Sequence, residues 1–164
     1  MLTTESLSSI KLVAFDFDGV FTDNTVIVDQ FGVESVKCWR SDGLGISKLL
    51  SLGVHVWIIS TEVNPVVNVR AKKLKIPSMQ AVEDKADAIL TLSKELSIGL
   101  DEIAYVGNDI NDIGALRIVG FPIAVSDAYP DIQEYVSYVT KKAGGFGAVR
   151  EVCDLISDAK FKKG

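Results

Sequence analysis

The sequence predicts an α/β fold, a doubly wound parallel sheet with helices on both faces. Apolar, β-rich runs recur at Ile10 to Phe17, Val54 to Ile59, Ile103 to Val106 and Phe121 to Val125, separated by helix-length segments. Polar and acidic residues gather at the carboxyl ends of these runs, where open α/β sheets bind their ligands. Cap and stop residues stand between the runs at the places where connecting helices would begin and end.

The first run leads into Phe15-Asp16-Phe17-Asp18-Gly19-Val20. A buried strand has no use for two acids, so Asp16 and Asp18 are read as chemistry. Thr25 to Val28 and Val33 to Trp39 flank Asp29-Gln30-Phe31-Gly32, a turn that predicts a small β-hairpin flap. Ser41-Asp42 offers N-caps for a helix over Ile46 to Leu52, and Gly53 is placed to end it. The second core strand closes on Ile58-Ile59-Ser60-Thr61, after which Asn64-Pro65 starts a helix to about Leu74. Asp84 or a neighbour caps a third helix, to Leu96, with Lys85 at its start. A lysine there opposes the helix dipole and points to an anionic partner or to plain solvation. After the third core strand, Gly107-Asn108-Asp109-Ile110-Asn111-Asp112 places oxygen donors on a glycine turn, a set suited to a hard cation such as Mg²⁺. Further helices are expected at Ile110 to Ile118, briefly after Pro130, and at Ala148 to Ala159.

A chain of 164 residues, 48% hydrophobic, supports one well-cored domain over residues 1–164 and is short for two. Its formal net charge of −5 leaves no electrostatic footprint for nucleic acid or an anionic membrane, since the basic cluster from Lys160 to Lys163 sits in the tail. No apolar stretch reaches the roughly 18 residues of a spanning helix. Met1 to Ser9 lacks the charged start and apolar middle of a signal peptide, so a cytoplasmic location is expected. Cys38 and Cys153 match neither zinc nor redox spacing and are expected as reduced thiols. The single histidine, His55, is read as structural, and Trp39 either packs the flap or lines an entrance.

The order acid pair, hydroxyl, lysine, acidic loop resembles the haloacid dehalogenase superfamily of phosphotransferases, whose phosphatase branch carries Asp-x-Asp-Gly. The resemblance runs from Lys11 to about Ile156 and implies a Rossmann-like sheet. It implies Asp16 as the nucleophile that forms an aspartyl phosphate and Asp18 as acid and base toward the leaving oxygen and water. Ser60 and Lys85 would hold the phosphoryl oxygens. Mg²⁺ is implied on Asp16, the backbone carbonyl of Asp18, and Asn108 or Asp109, with Asp112 behind them. Many relatives carry Gly-Asp-Asp where this chain has Gly107-Asn108-Asp109, so weaker metal binding is expected.

Larger members insert a cap domain after the first or the second motif. Here the first gap holds only the hairpin and one helix, and the second about 25 residues from Ser60 to Lys85, so no cap domain is expected. The compact branch that includes octulosonate 8-phosphate phosphatases closes its site by forming a tetramer. The runs Asp18 to Asp23, Ser41 to Ile46 and Ala143 to Glu151 are similar to that branch. The resemblance thus implies a homotetramer acting on a phosphorylated keto sugar acid, with Ser41, Asp42 and Gly43 in the substrate region. Glu62 stands where that branch usually has Arg, and is similar to nonulosonate 9-phosphate phosphatases and to the module attached to some CMP-sialate synthetases. Glu62, Arg70 and Lys73 are expected to face the substrate, Arg being suited to a carboxylate; a surface ion-paired helix is the alternative for the two basic residues. Two other classes compete. A receiver-type signalling domain lacks the Asp-x-Asp pair. A catalytically weak assembly module associated with an acylneuraminate cytidylyltransferase would not need Asp16, Asp18, Ser60, Lys85 and Asp109 together.

Overall fold

The computed structural model describes residues 3–163; Met1 and Leu2, which open the stretch tested above for a leader, and Gly164 lie outside it. In chain order, helix α1 (Thr4–Ser8) precedes strand β1 (Leu12–Phe15) and the hairpin strands β2 (Ile27–Val28) and β3 (Glu34–Ser35). Next come α2 (Asp42–Ser51), β4 (His55–Ile59), α3 (Val66–Leu74), β5 (Ser78–Met79) and α4 (Lys85–Leu96). The chain ends with β6 (Ile103–Gly107), α5 (Ile113–Ile118), β7 (Phe121–Ala124), β8 (Tyr138–Val139) and α6 (Ala148–Lys163). Six strands form one sheet in the order β5-β4-β1-β6-β7-β8, every neighbouring pair parallel.

The central strand explains the double winding. All four residues of β1 are buried; Val13 and Phe15 face a core completed by α1, α2, α3 and α6, while Leu12 and Ala14 face a second core with Ile89, Leu92 and Leu116 from α4 and α5. Each large apolar side chain buried in this way contributes about 1.5–3 kcal/mol relative to exposure. From β1 the chain moves outward through β4 and β5, then returns to β6 on the other side of β1. The crevice beyond the carboxyl ends of β1 and β6 is therefore the topological switch point, the place where such sheets bind ligands.

The helix signals hold with local differences. Asp84 accepts hydrogen bonds from Ala86 N and Asp87 N at 2.8 and 3.2 Å, and Asn64 Oδ1 accepts one from Val66 N at 3.0 Å. Gly53, with φ +74°, follows α2, whose start has no side-chain cap from Ser41. The helix expected over Ile110 to Ile118 opens as a 3-10 turn, Ile110–Asp112, because Asp109 takes Ile110 N on its side chain and Asp112 N on its carbonyl. Pro130–Tyr135 is likewise a 3-10 turn. Helix α1, capped reciprocally by Thr3 and Ser6, and the two-residue edge strands β5 and β8 were not expected. Elements so short carry no readable period.

The hairpin turn is held by Asp29 Oδ1, which accepts from Phe31 N and Val33 N at 2.9 Å each, with Gly32 at φ +77°. Its paired strands are shorter than expected, and Ile27, Phe31 and Val33 stand 69%, 81% and 59% exposed.

Candidate active site

Asp16 is the first residue beyond β1, and its N–H donates to Val106 O at 2.9 Å, which fixes it between β1 and β6. Its carboxylate is 2.9 Å from Lys85 Nζ, which also reaches Asp112 Oδ1 at 2.7 Å. All three side chains are buried. Burial and the charge of Asp112 push the Asp16 carboxyl up to about 7 against the opposing pull of Lys85. Burial alone would depress the lysine, but the two carboxylates raise it, so Lys85 stays a cation inside the protein. Asp18, half-buried, is raised by burial and then by the nearby charge of Glu62.

Asp16, Asp18, Asn24, Thr61, Asn108, Asp109 and Asn111 line one cavity of about 90 Å³. Asn108 is 5% exposed and its Oδ1 has no hydrogen-bond partner. An orphaned amide oxygen beside carboxylates fits a hard cation such as Mg²⁺, which takes oxygen ligands. Gly19 is what admits that amide: its φ is +81°, and a Cβ there would fall on Asn108 Nδ2. Ser60, buried at the end of β4, accepts a hydrogen bond from Glu62 N at 3.1 Å. Asp112 does not line the cavity; its Oδ2 accepts from Asn108 N and Asp109 N at 2.8 and 3.2 Å and shapes the loop from behind.

A second cavity, about 310 Å³, shares Asp18 and Asn24 with the first and adds Thr25, Val26, Glu34, Val36, Glu62 and Val66. Its charged lining is entirely acidic: Asp18, Glu34 and Glu62. Glu62 Oε1 accepts from Val63 N and Asn64 N, and Asn64 Nδ2 reaches Glu34 Oε2 at 3.3 Å, tying the flap to the loop after β4. Arg70 and Lys73 do not line it. Arg70 donates from Nη2 to Trp39 O at 3.2 Å, and Lys73 is exposed on α3. Asn24 and Glu34 escaped the sequence reading; the left-handed φ of Asn24, +63°, has only its Asp-Asn setting as a signal.

Ser41 and Trp39 line a third cavity, about 420 Å³, with Phe146, Arg150 and Lys142; it shares no lining residue with the cavity beside Asp16. Gly43 follows two residues later in α2, where an added Cβ would stand 3.3 Å from Leu74 Cδ2. Asp42 is fully buried, and its Oδ1 accepts from Arg150 N at 3.1 Å, capping the first turn of α6 from a distant part of the chain. Burial pushes its carboxyl up from 3.8 to about 7, despite Arg150 N–H and the Arg70 and Arg150 charges. The unfolded chain ionises this group first as pH rises, so its stabilising contribution is complete below the ordinary carboxylate range and is lost as pH climbs toward about 7. Asp42→Asn removes that term while keeping the acceptor oxygen. Its stability relative to the parent is expected to improve between about pH 4 and about pH 8. Urea midpoints that run parallel over that interval would contradict the assignment.

Residues 62–152 match the family of haloacid dehalogenase-like hydrolases. Over 155 residues the chain is 37% identical to 3-deoxy-D-manno-octulosonate 8-phosphate phosphatase of Escherichia coli strain K12, covering 94% of this chain and 82% of that protein. The chain belongs to the haloacid dehalogenase-like hydrolases. Among solved structures, 3-deoxy-D-manno-octulosonate 8-phosphate phosphatase from Moraxella catarrhalis, in complex with magnesium ion, phosphate ion and KDO, superimposes with a TM-score of 0.93 at 38% identity, covering 97% of this chain and 92% of that one. The cobalt-bound deoxy-D-mannose-octulosonate 8-phosphate phosphatase from Haemophilus influenzae gives 0.91 at 32%, covering 96% and 92%. The family and fold expected from the motif order are thus those observed, with no separate cap domain among the described residues.

In this haloacid dehalogenase-like hydrolase the glycine-rich run before α6 braces the Asp-x-Asp-Gly turn. Gly145 N donates to Val20 O at 3.1 Å, Gly144 N donates to Asp127 Oδ1 at 2.8 Å, and a Cβ at Gly144 would collide with Gly19 O. Gly144→Ala must therefore push the turn that carries Asp18 and shapes Asn108. Activity is expected to fall about 100-fold, the order of loss that misplacing reacting groups by about 1 Å produces. Unchanged steady-state rates would show that the turn does not depend on this contact.

Proposed function

We propose that this chain is a Mg²⁺-dependent phosphatase that hydrolyses a phosphorylated keto sugar acid through an aspartyl phosphate on Asp16. The observation that carries the reading is the buried row Asp16–Lys85–Asp112 beside the unpartnered Asn108 Oδ1, at the switch point of the sheet. The Asp16 carboxylate attacks phosphorus while the bond to the leaving oxygen breaks, and Asp18 delivers a proton to that oxygen. Burial and Glu62 raise Asp18, which suits it to hold the proton. Asp18, now a carboxylate, takes a proton from the water that attacks the aspartyl phosphate and releases inorganic phosphate with Asp16 restored. Lys85 and Ser60 hold the phosphoryl oxygens. Mg²⁺, held by Asp16, the Asp18 carbonyl and Asn108 or Asp109, would supply the positive charge that offsets the repulsion between carboxylate and phosphate.

The acidic second cavity adjoins Asp18 and would receive the leaving group. Its carboxylates accept hydrogen bonds from sugar hydroxyls and repel anions, so the end of the sugar next to the ester carries hydroxyls and the acid function lies farther out. This supports an eight- or nine-carbon acid phosphorylated at its terminal carbon, as does the likeness to the octulosonate phosphatases. Homotetramer formation belongs to the same reading, supported by the exposed apolar flap residues Ile27, Val28, Phe31 and Val33. So does a cytoplasmic location; no helix among the described residues is long and apolar enough to cross a membrane.

The test is phosphate release from octulosonate 8-phosphate, nonulosonate 9-phosphate and N-acetylneuraminate 9-phosphate, each with and without Mg²⁺. Metal-dependent release with a preference for one of them is expected. A folded protein that releases phosphate from none of them would overturn the substrate assignment and favour the assembly-module alternative.

A further inference from the structure

We propose that Tyr105 is a positioning residue, which through Asp112 holds both Lys85 and the Asn108–Asp109 loop in their working places. Tyr105 lies in the middle of β6 with its ring fully buried among Leu12, Ala14, Ile59 and Ile89. A phenylalanine would fill such a position equally well, and burying a phenol hydroxyl costs free energy unless the hydroxyl finds a partner. The partner is specific: Tyr105 OH donates to Asp112 Oδ1 at 2.6 Å.

Asp112 is the hub of the site although it lines no cavity with the reacting groups. Oδ1 receives Lys85 Nζ at 2.7 Å and Tyr105 OH at 2.6 Å; Oδ2 receives Asn108 N at 2.8 Å and Asp109 N at 3.2 Å. One carboxylate thus clamps the cation that faces Asp16 and the loop that carries the orphaned Asn108 oxygen. The terminal torsion of an aspartate is soft, and of its four partners only Tyr105 reaches it from the middle of a strand, Lys85 standing at the start of α4 and Asn108 and Asp109 in the turn after β6. Gly107 completes the seat, since a Cβ there would stand 2.5 Å from Asp112 Cγ.

The experiment compares Tyr105→Phe with the parent and with Ile156→Val, a buried change in α6 outside the network. Mg²⁺ alone is titrated calorimetrically into the free protein, and kcat and KM are measured separately on whichever sugar-acid phosphate is turned over. Deleting a hydrogen bond to a charged group is expected to lower kcat about tenfold with KM within about twofold. The Mg²⁺ dissociation constant is expected to rise about tenfold, the lower end of what removing groups that support metal ligands costs. Ile156→Val should move the melting temperature without moving either quantity. The kinetic arm rests on the phosphatase reading, whereas the Mg²⁺ arm does not. Weakened Mg²⁺ binding in a protein that hydrolyses none of the substrates would sustain the positioning role and count against the function. Tyr105→Phe with parental Mg²⁺ affinity, or with changes no larger than those of Ile156→Val, would overturn the proposal.

Discussion

Asp16→Asn is expected to abolish phosphate release, by at least about a thousandfold, while leaving the fold intact. An amide oxygen is a poor nucleophile toward phosphorus, so no aspartyl phosphate forms and the residual rate is that of the remaining donors alone. The structural cost is small because the interactions of the carboxylate survive in the amide: Oδ1 accepts from Phe17 N at 2.7 Å and lies 2.9 Å from Lys85 Nζ. Stability should even improve at alkaline pH. The Asp16 carboxyl is raised to about 7 in the folded protein, so its ionised form is disfavoured there, and its contribution declines as pH rises from the ordinary carboxylate range to that value. The neutral side chain escapes this decline and also relieves repulsion from Asp112. The measurement pairs phosphate release with thermal melts at about pH 8. Release within about tenfold of the parent would remove Asp16 from the role of nucleophile.

Lys85→Met is expected to damage both chemistry and fold. Its ammonium group, buried within the network, is the cation between Asp16 and Asp112, and methionine leaves two buried carboxylates facing each other. Breaking a buried ion pair by removing one partner costs about 3–5 kcal/mol. Against the usual 5–15 kcal/mol of a folded domain that is a large share, and the melting temperature should fall by about 10 °C. Acid should partly rescue the variant, since protonating one carboxylate removes the repulsion. The double change with Asp112→Asn should do the same at neutral pH, although it leaves the loop less well held. A melting temperature within about 2 °C of the parent would show that the lysine contributes little to the native balance.

What the sequence disclosed and what it hid follow from range. The four core strands are legible because each is a mainly apolar run, and Asp16 and Asp18 because acids at a strand end contradict burial, whereas Ser60 and Lys85 stand out only through the family resemblance. Asp84 and Asn64 are legible because their bonds close within two or three residues. The bond that Asp42 makes is not: the sequence offers Asp42 as a helix cap and, through the resemblance, as part of the substrate region, while its hydrogen-bond donor, Arg150 N, comes from the other end of the chain. Tyr105 reads as one more strand aromatic, because the hydrogen bond that distinguishes it joins a strand to a later turn. Glu34 sits in a hairpin whose only local signal is its turn, and nothing nearby in sequence announces that the flap meets Asn64. Arg70, chosen for its charge, turns toward the backbone of Trp39.

The central place of β1 has a bearing on how the protein is made. During synthesis β1 is the first strand of the sheet to leave the ribosome, yet one of its edges is closed only when Ile103 pairs with Leu12 and Val106 with Phe15. Until then an apolar strand with an open edge is on display, the condition that invites chaperones and, without them, aggregation. The two sides of the proposed reaction cavity, Asp16 on one and Asn108 on the other, are brought together by that same late pairing. A nascent chain stopped before β6 would hold the Asp-x-Asp-Gly motif and no working site, so activity should emerge on translation only after the third core strand has been delivered.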